Sequence, residues 1–341
     1  MKRVTGWLVC AWMLVCAWMA VGSIALHAQA VVIGAGYAAP GAIDVAPGQL
    51  ITIFARVPGK TPADPVVAKA PLPATLAGFT VLLRQTFPSD PQQVPILSAA
   101  DAQSCSIVAP LVCDTVTMIT VQVPFELTPN APRTTGPQTT VPQNFARLEI
   151  GYNGNPANLL VLNPVLDRIH VLNSCDPAAG ANRLAPCLPV VAHPDGSLVS
   201  RDNPAQAGEA LTASVVGLGP VPVGPVLIPV ATGTATPPQA PAVDGVVVGF
   251  DARVNASPAL LIPSSAAPAD SAHLQAGSVG IYEIAFTVPT PAAGTPACSN
   301  TVQSNLTINF GRMTSSDGAG ICVTPPAGSP SDARIRNRSR M

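Results

Sequence analysis

The chain has 341 residues, 48% of them hydrophobic but only 4% aromatic, with 17 Lys/Arg against 18 Asp/Glu, 39 prolines and 27 glycines. Lys2, Arg3 and the arginines at 334, 336, 338 and 340 hold six of those 17 cations, so the body between them is acidic, which argues against nucleic acid as a partner. Prolines and glycines leave no long stretch after residue 30 free to be a regular helix, and a core of Val, Leu, Ile and Ala favours strands.

Residues 1–30 read as an export signal. Lys2 and Arg3 precede an apolar run that holds all three tryptophans, at 7, 12 and 18, and Ala28-Gln29-Ala30 offers small side chains to a signal peptidase. The working protein is expected to begin near Val31, secreted or held at the cell surface, with no membrane span after processing. A single membrane anchor is the alternative, because the run is long enough to cross a bilayer.

Two halves then repeat one pattern. In the first, Val45-Ala-Pro-Gly-Gln-Leu50 makes a turn and opens a strand whose Leu50 and Ile53 are expected to face a core. In Thr117-Met-Ile-Thr-Val-Gln-Val-Pro124 alternate positions over Ile119–Val123 are apolar, and the proline that follows ends the pairing. In the second half, Gln206-Ala-Gly-Glu-Ala-Leu211 and Gly280-Ile-Tyr-Glu-Ile-Ala-Phe-Thr-Val-Pro289 carry the same signals, with Leu211, Ala213 and Val215 directed inward. The near-equal offsets predict tandem copies of one fold. A short sheet with one apolar face needs a second sheet over it, so each copy is expected to be two packed antiparallel sheets.

The predicted organisation is a signal over 1–30, a first domain over 31–164, a second over 165–326 and a flexible basic tail over 327–341. The boundary falls near 163–168, before a strand over 167–172. The Pro/Ala/Thr-rich segments 58–73 and 232–242 are expected to be surface excursions.

After residue 30 the cysteines form three local couples, Cys105 with Cys113, Cys175 with Cys187, and Cys298 with Cys322. An even count in an exported chain predicts three disulfides paired in sequence order. A metal site is the competing reading, but no C-x-x-C pair or zinc-like Cys/His spacing is present, and no metal or cofactor is expected.

Ala46-Pro-Gly-Gln-Leu50, Pro71-Leu-Pro-Ala-Thr-Leu-Ala-Gly-Phe-Thr-Val81, Ile119-Thr-Val-Gln-Val-Pro124, His193-Pro-Asp-Gly-Ser-Leu-Val199, Asn203-Pro-Ala-Gln-Ala-Gly208, Gly217-Leu-Gly-Pro220 and Gly280–Pro289 together resemble the tandem repeat at the C-terminal end of many exported acidobacterial proteins. The resemblance spans about 40–310 and implies two tandem antiparallel immunoglobulin-like β-sandwich domains with no established catalytic activity. The chain departs from that family's pattern at Thr117-Met-Ile-Thr, where Gln-Ile-Asn is usual, and its cysteine couples look like local additions.

His193-Pro-Asp-Gly196, followed by Asp202, Asn203 and Glu209, is the most site-like cluster. A histidine with acids performs acid–base work or holds a metal, yet Pro-Asp-Gly and Asn-Pro are turn sequences. His170 lies in a strand-like run, His273 in a polar loop, and Ser197 lacks a nucleophile-elbow setting. Gly217-Leu-Gly219 has neither the lysine nor the helix of a phosphate loop, and Tyr282 alternates with Ile284 and Phe286 as a core residue does. Asn255 and Asn305 each open an N-glycan acceptor triplet, a pattern frequent by chance. The expected function is therefore a non-catalytic extracellular structural or adhesive protein whose partners are other extracellular proteins, a matrix or copies of itself. An exported hydrolase built on His193 and a carbohydrate-binding module are the alternatives.

Overall fold

A computed structural model describes residues 30–34, 37–38, 42–55, 64–105, 113–130, 143–179, 187–219, 231–240, 242–251, 266–290, 298, 304–310 and 315–324. Residues 1–29 of the expected leader, the basic tail and Asn255 lie outside them, while Ala30, its last residue, opens the first strand. Among the described residues the chain is all-β, with four sheets and a single short 3-10 turn at Pro177–Ala179.

Two sheets are built from the first half. Their strands are β1 (Ala30–Gly34), β2 (Tyr37–Ala38), β3 (Ile43–Val45), β4 (Leu50–Ala55), β5 (Val66–Val67), β6 (Thr75–Leu76), β7 (Phe79–Gln85), β8 (Gln92–Gln93), β9 (Ile96–Cys105), β10 (Cys113–Gln122), β11 (Ala146–Tyr152) and β12 (Asn155–Pro164). One sheet runs β2-β1-β4-β10-β9-β5, and the other β3-β12-β11-β7-β6 with β8 beside β7. The second half supplies β13 (His170–Val171), β14 (Val191–Ala192), β15 (Ala210–Val216), β16 (Val246–Asp251), β17 (Ala267–Pro268), β18 (Ser271–Leu274), β19 (Tyr282–Thr287), β20 (Ser304–Phe310) and β21 (Ser316–Ile321). They pair as β13-β15-β19-β18, with β14 on β15, and as β17-β16-β20-β21.

Period-two alternation decides what each sheet buries. Ile51, Ile53 and Ala55 of β4 and Ile119 and Val121 of β10 join Phe79, Val81 and Leu83 of β7 and Leu148 and Ile150 of β11 in one apolar cluster, so both sheets of the first half share a core. Leu211, Ala213 and Val215 of β15 meet Tyr282, Ile284 and Phe286 of β19, Val246 and Val248 of β16 and Leu306 and Ile308 of β20 in a separate cluster. Tyr282 is fully buried, and its hydroxyl donates to the Gly219 carbonyl at 2.7 Å.

The two halves use the same local device. Gly48 N donates to Val123 O at 2.9 Å and Val123 N to Gln49 O at 2.8 Å; Gly208 N donates to Val288 O at 2.8 Å and Val288 N to Glu209 O at 2.8 Å. Both glycines have positive φ, +76° and +80°, which a tight turn into a strand requires. Gln49 closes its turn by accepting from Ala46 N at 2.9 Å, and Glu209 closes the other by accepting from Gln206 N at 2.8 Å. Outward from these turns β4 pairs with β10 and β15 with β19, each antiparallel.

Leu50 departs from expectation. It turns away from the first core and packs with Leu172 and Val216 of the second half. Segment 232–242 runs over the surface through the exposed 237–239, but its 232–236 end departs from expectation, since Thr236 is buried and Gly233 seats on the first half. Gly233 N donates to Gln122 Oε1 at 2.6 Å, Leu72 N to Gly233 O at 2.7 Å and Phe125 N to Thr232 Oγ1 at 3.0 Å. A loop with this much backbone committed to another surface does not run free in solvent. The expected strand over 167–172 is only β13, because Asp167 is instead buried as the acceptor of Ser315 Oγ at 2.5 Å.

Cys175 is joined to Cys187, and Cys298 to Cys322, each pair with Cα atoms 5.3 Å apart. Cys105 and Cys113 are register partners across β9 and β10, and their side chains lie outside the described residues.

Candidate functional site

The 193–209 segment folds back on itself because three side chains close its turns. Asp195 Oδ1 accepts from Ser197 N at 2.9 Å and from Ser197 Oγ at 2.6 Å, the local bonding that makes Pro-Asp-Gly a turn. These bonds hold the Asp195 carboxyl below its ordinary pKa. Asn203 Nδ2 donates to Ser197 Oγ at 2.9 Å, and Asp202 is exposed in the same turn. His193 Nδ1 lies 2.5 Å from Glu209 Oε1, and Nε2 lies 3.1 Å from the Asn203 carbonyl oxygen. An open cavity of about 420 Å³ lies against His193, Glu209 and the intervening backbone.

Both partners of His193 are acceptors, a setting that favours the doubly protonated imidazolium. Burial opposes that charge, but the bonds to Glu209 and to the Asn203 carbonyl outweigh it and raise the pKa. The same bond lowers Glu209. Both ring nitrogens of His193 are thus engaged by acceptors within the protein itself. Ser197 bonds to Asp195 and Asn203 rather than to His193, so the sequence cluster comes together as a set of turn closures and not as a nucleophile with its base.

A second histidine holds a tighter position. His170 Nδ1 is 3.0 Å from Asp317 Oδ2, and Nε2 is 3.0 Å from Asp176 Oδ2. Asp317 also accepts from Val171 N at 2.9 Å and Asp176 from Asn173 N at 2.7 Å. The ring therefore ties β13 to β21 and to the loop closed by Cys175 and Cys187. Its carboxylates sit on opposite sides of the ring, which is a clamp and not a chelate. Nothing in the sequence pairs His170 with Asp317, 147 positions away. Among the described residues no group of three or more His, Cys, Asp or Glu side chains is placed to hold a metal ion.

Burial opposes protonation of His170, yet the two carboxylates raise its pKa from 6.5 to about 9. Because the folded value lies above the unfolded one, the clamp contributes fully below pH 6.5 and is lost as the pH rises through about 9. His170→Gln is expected to cost on the order of 2 kcal/mol at pH 7. Urea unfolding of both proteins from pH 6 to 10 checks this: the difference shrinks toward zero at the alkaline end.

The other sequence candidates lie apart. His273 Nε2 approaches Glu283 Oε2 at 3.3 Å on the β18–β19 pair. Gly217 and Gly219 turn the chain out of β15, and Thr307 of the second acceptor triplet is buried in β20. No helix of the described residues is long and apolar enough to cross a membrane. No protein-family model matches the chain, and no curated protein matches it. The chain is thus an all-β, multi-sheet, disulfide-containing protein.

Proposed function

We propose that this is a non-catalytic extracellular structural or adhesive protein. It is exported by its first 30 residues, consists of two tandem immunoglobulin-like β-sandwich domains over about 31–164 and 165–326, and works through contacts made by its surface with other proteins, a matrix or copies of itself. The observation that carries the reading is the pair of matched turns. Glu209, the acid of the most site-like cluster, has the place and the hydrogen bond of Gln49, an uncharged residue in the other half. A position filled by glutamine in one copy serves the turn, and a carboxylate there needs no chemistry to account for it.

His193→Gln is expected to lower stability by about 1 kcal/mol, the worth of a charge-assisted bond at a partly exposed site. It is expected to leave the size of any assembly unchanged. Chemical denaturation and light scattering measure the two effects, and electron microscopy of the oxidised protein reports the assemblies directly. Turnover of an ester, amide or glycoside substrate that disappears in His193→Gln would replace this reading with the hydrolase.

A further inference from the structure

The outer face of the β3-β12-β11-β7-β6 sheet carries exposed apolar side chains where a solvated face is normally polar throughout. Phe145, Leu159 and Val161 are 74%, 61% and 55% exposed and point away from the core, in phase with Arg147 and Glu149 of β11 and Arg84 of β7. Register fixes their order. One row across the sheet is Leu159, Glu149, Leu82; the next is Val161, Arg147, Arg84. Consecutive rows on one face stand about 7 Å apart.

Building on the proposed surface-contact function, we propose that this face is the contact between two copies of the chain, stacked about a two-fold axis that crosses the strands over Leu148. That operation exchanges positions equally distant from 148. Leu159 falls on Val161 of the other copy, Arg147 on Glu149, and the aliphatic part of Arg84 on Leu82. Phe145 falls on Gly151, which has no side chain to meet it, and Thr86 falls on Thr80. Apolar groups meet apolar groups, cations meet anions, and Phe145, the most exposed aromatic among the described residues, meets the one glycine of β11.

Such self-complementarity is what an isologous contact demands. Within one copy Arg84 and Arg147 already close on Glu149 Oε1, at 2.8 and 3.1 Å, so the charges are held facing outward. Stacking adds the partner's arginine to each carboxylate and removes both apolar stripes from water.

The test uses sedimentation of the oxidised full chain over a range of concentrations. Dimers are expected, and Val161→Asp weakens them at least tenfold while far-ultraviolet circular dichroism stays unchanged. Arg147→Glu and Glu149→Arg are each expected to be monomeric alone, because like charges then oppose each other across the axis. Mixed in equal amounts, the two form a heterodimer of near wild-type affinity, a rescue that misfolded variants cannot give. A wild-type chain that stays monomeric, or a dimer indifferent to Val161→Asp and to mixing, overturns the proposal. Neither result bears on catalysis, so the contact-protein reading stands or falls separately, on the His193→Gln turnover experiment.

Discussion

Gly217→Ala lowers the stability of the protein by more than about 3 kcal/mol, a loss in the range reserved for backbone strain and forced overpacking. Gly217 has φ +82°, and a Cβ built on it stands 1.9 Å from the Arg168 carbonyl oxygen and 2.7 Å from its carbonyl carbon. The obstruction is main chain, which cannot rotate aside, and Arg168 N is itself bonded to Gly217 O at 2.7 Å. The added methyl therefore separates β15 from the segment that leads into β13. Gly208→Ala is the control. Its φ is +80°, but nothing lies within 4 Å of the added carbon, so only the left-handed backbone term remains, about 1 kcal/mol. Urea unfolding of the two variants separates the effects: equal losses would show that the approach of residue 168 is unimportant.

Replacing Cys298 and Cys322 together by alanine costs roughly 3.5 kcal/mol by the loop-closure estimate for a bridge across 24 residues. Cys322 is buried with Ile321 and Val323 at the end of β21, and Ala205 N bonds to the Cys322 carbonyl at 2.9 Å. Losing the bridge frees a strand that also carries Asp317 of the histidine clamp. Denaturation midpoints with and without reductant give the cost, since reduced wild-type and variant are expected to coincide. A non-reducing peptide map of the same samples is expected to join Cys105 to Cys113 as the third bridge, and free thiols there would exclude it.

The large elements were legible because their signals are local. Alternation over 119–123 and 284–288, a glycine turn before each opening strand and a terminating proline describe β4, β10, β15 and β19 almost completely. Leu50 and the 232–236 end of the proline-rich segment differ from expectation for one reason. Period and composition say that a residue is apolar or a loop proline-rich, not which half of the chain will cover it. The turn at His193-Pro-Asp-Gly196 was readable as a turn, because its bonds close within a few residues. His170 was not readable as a clamp, because Asp317 arrives from the far end of the chain.

The matched turns also divide the molecule chemically. The histidines after residue 30 are His170, His193 and His273, all in the second half, and each is set against a carboxylate. The first half closes its equivalent turn with an amide that no proton alters. Two halves that share this turn therefore meet a change of pH unequally. The later half holds two histidines, His170 and His193, whose pKa values their carboxylate partners raise, so alkali loosens contacts that have no counterpart in the earlier half.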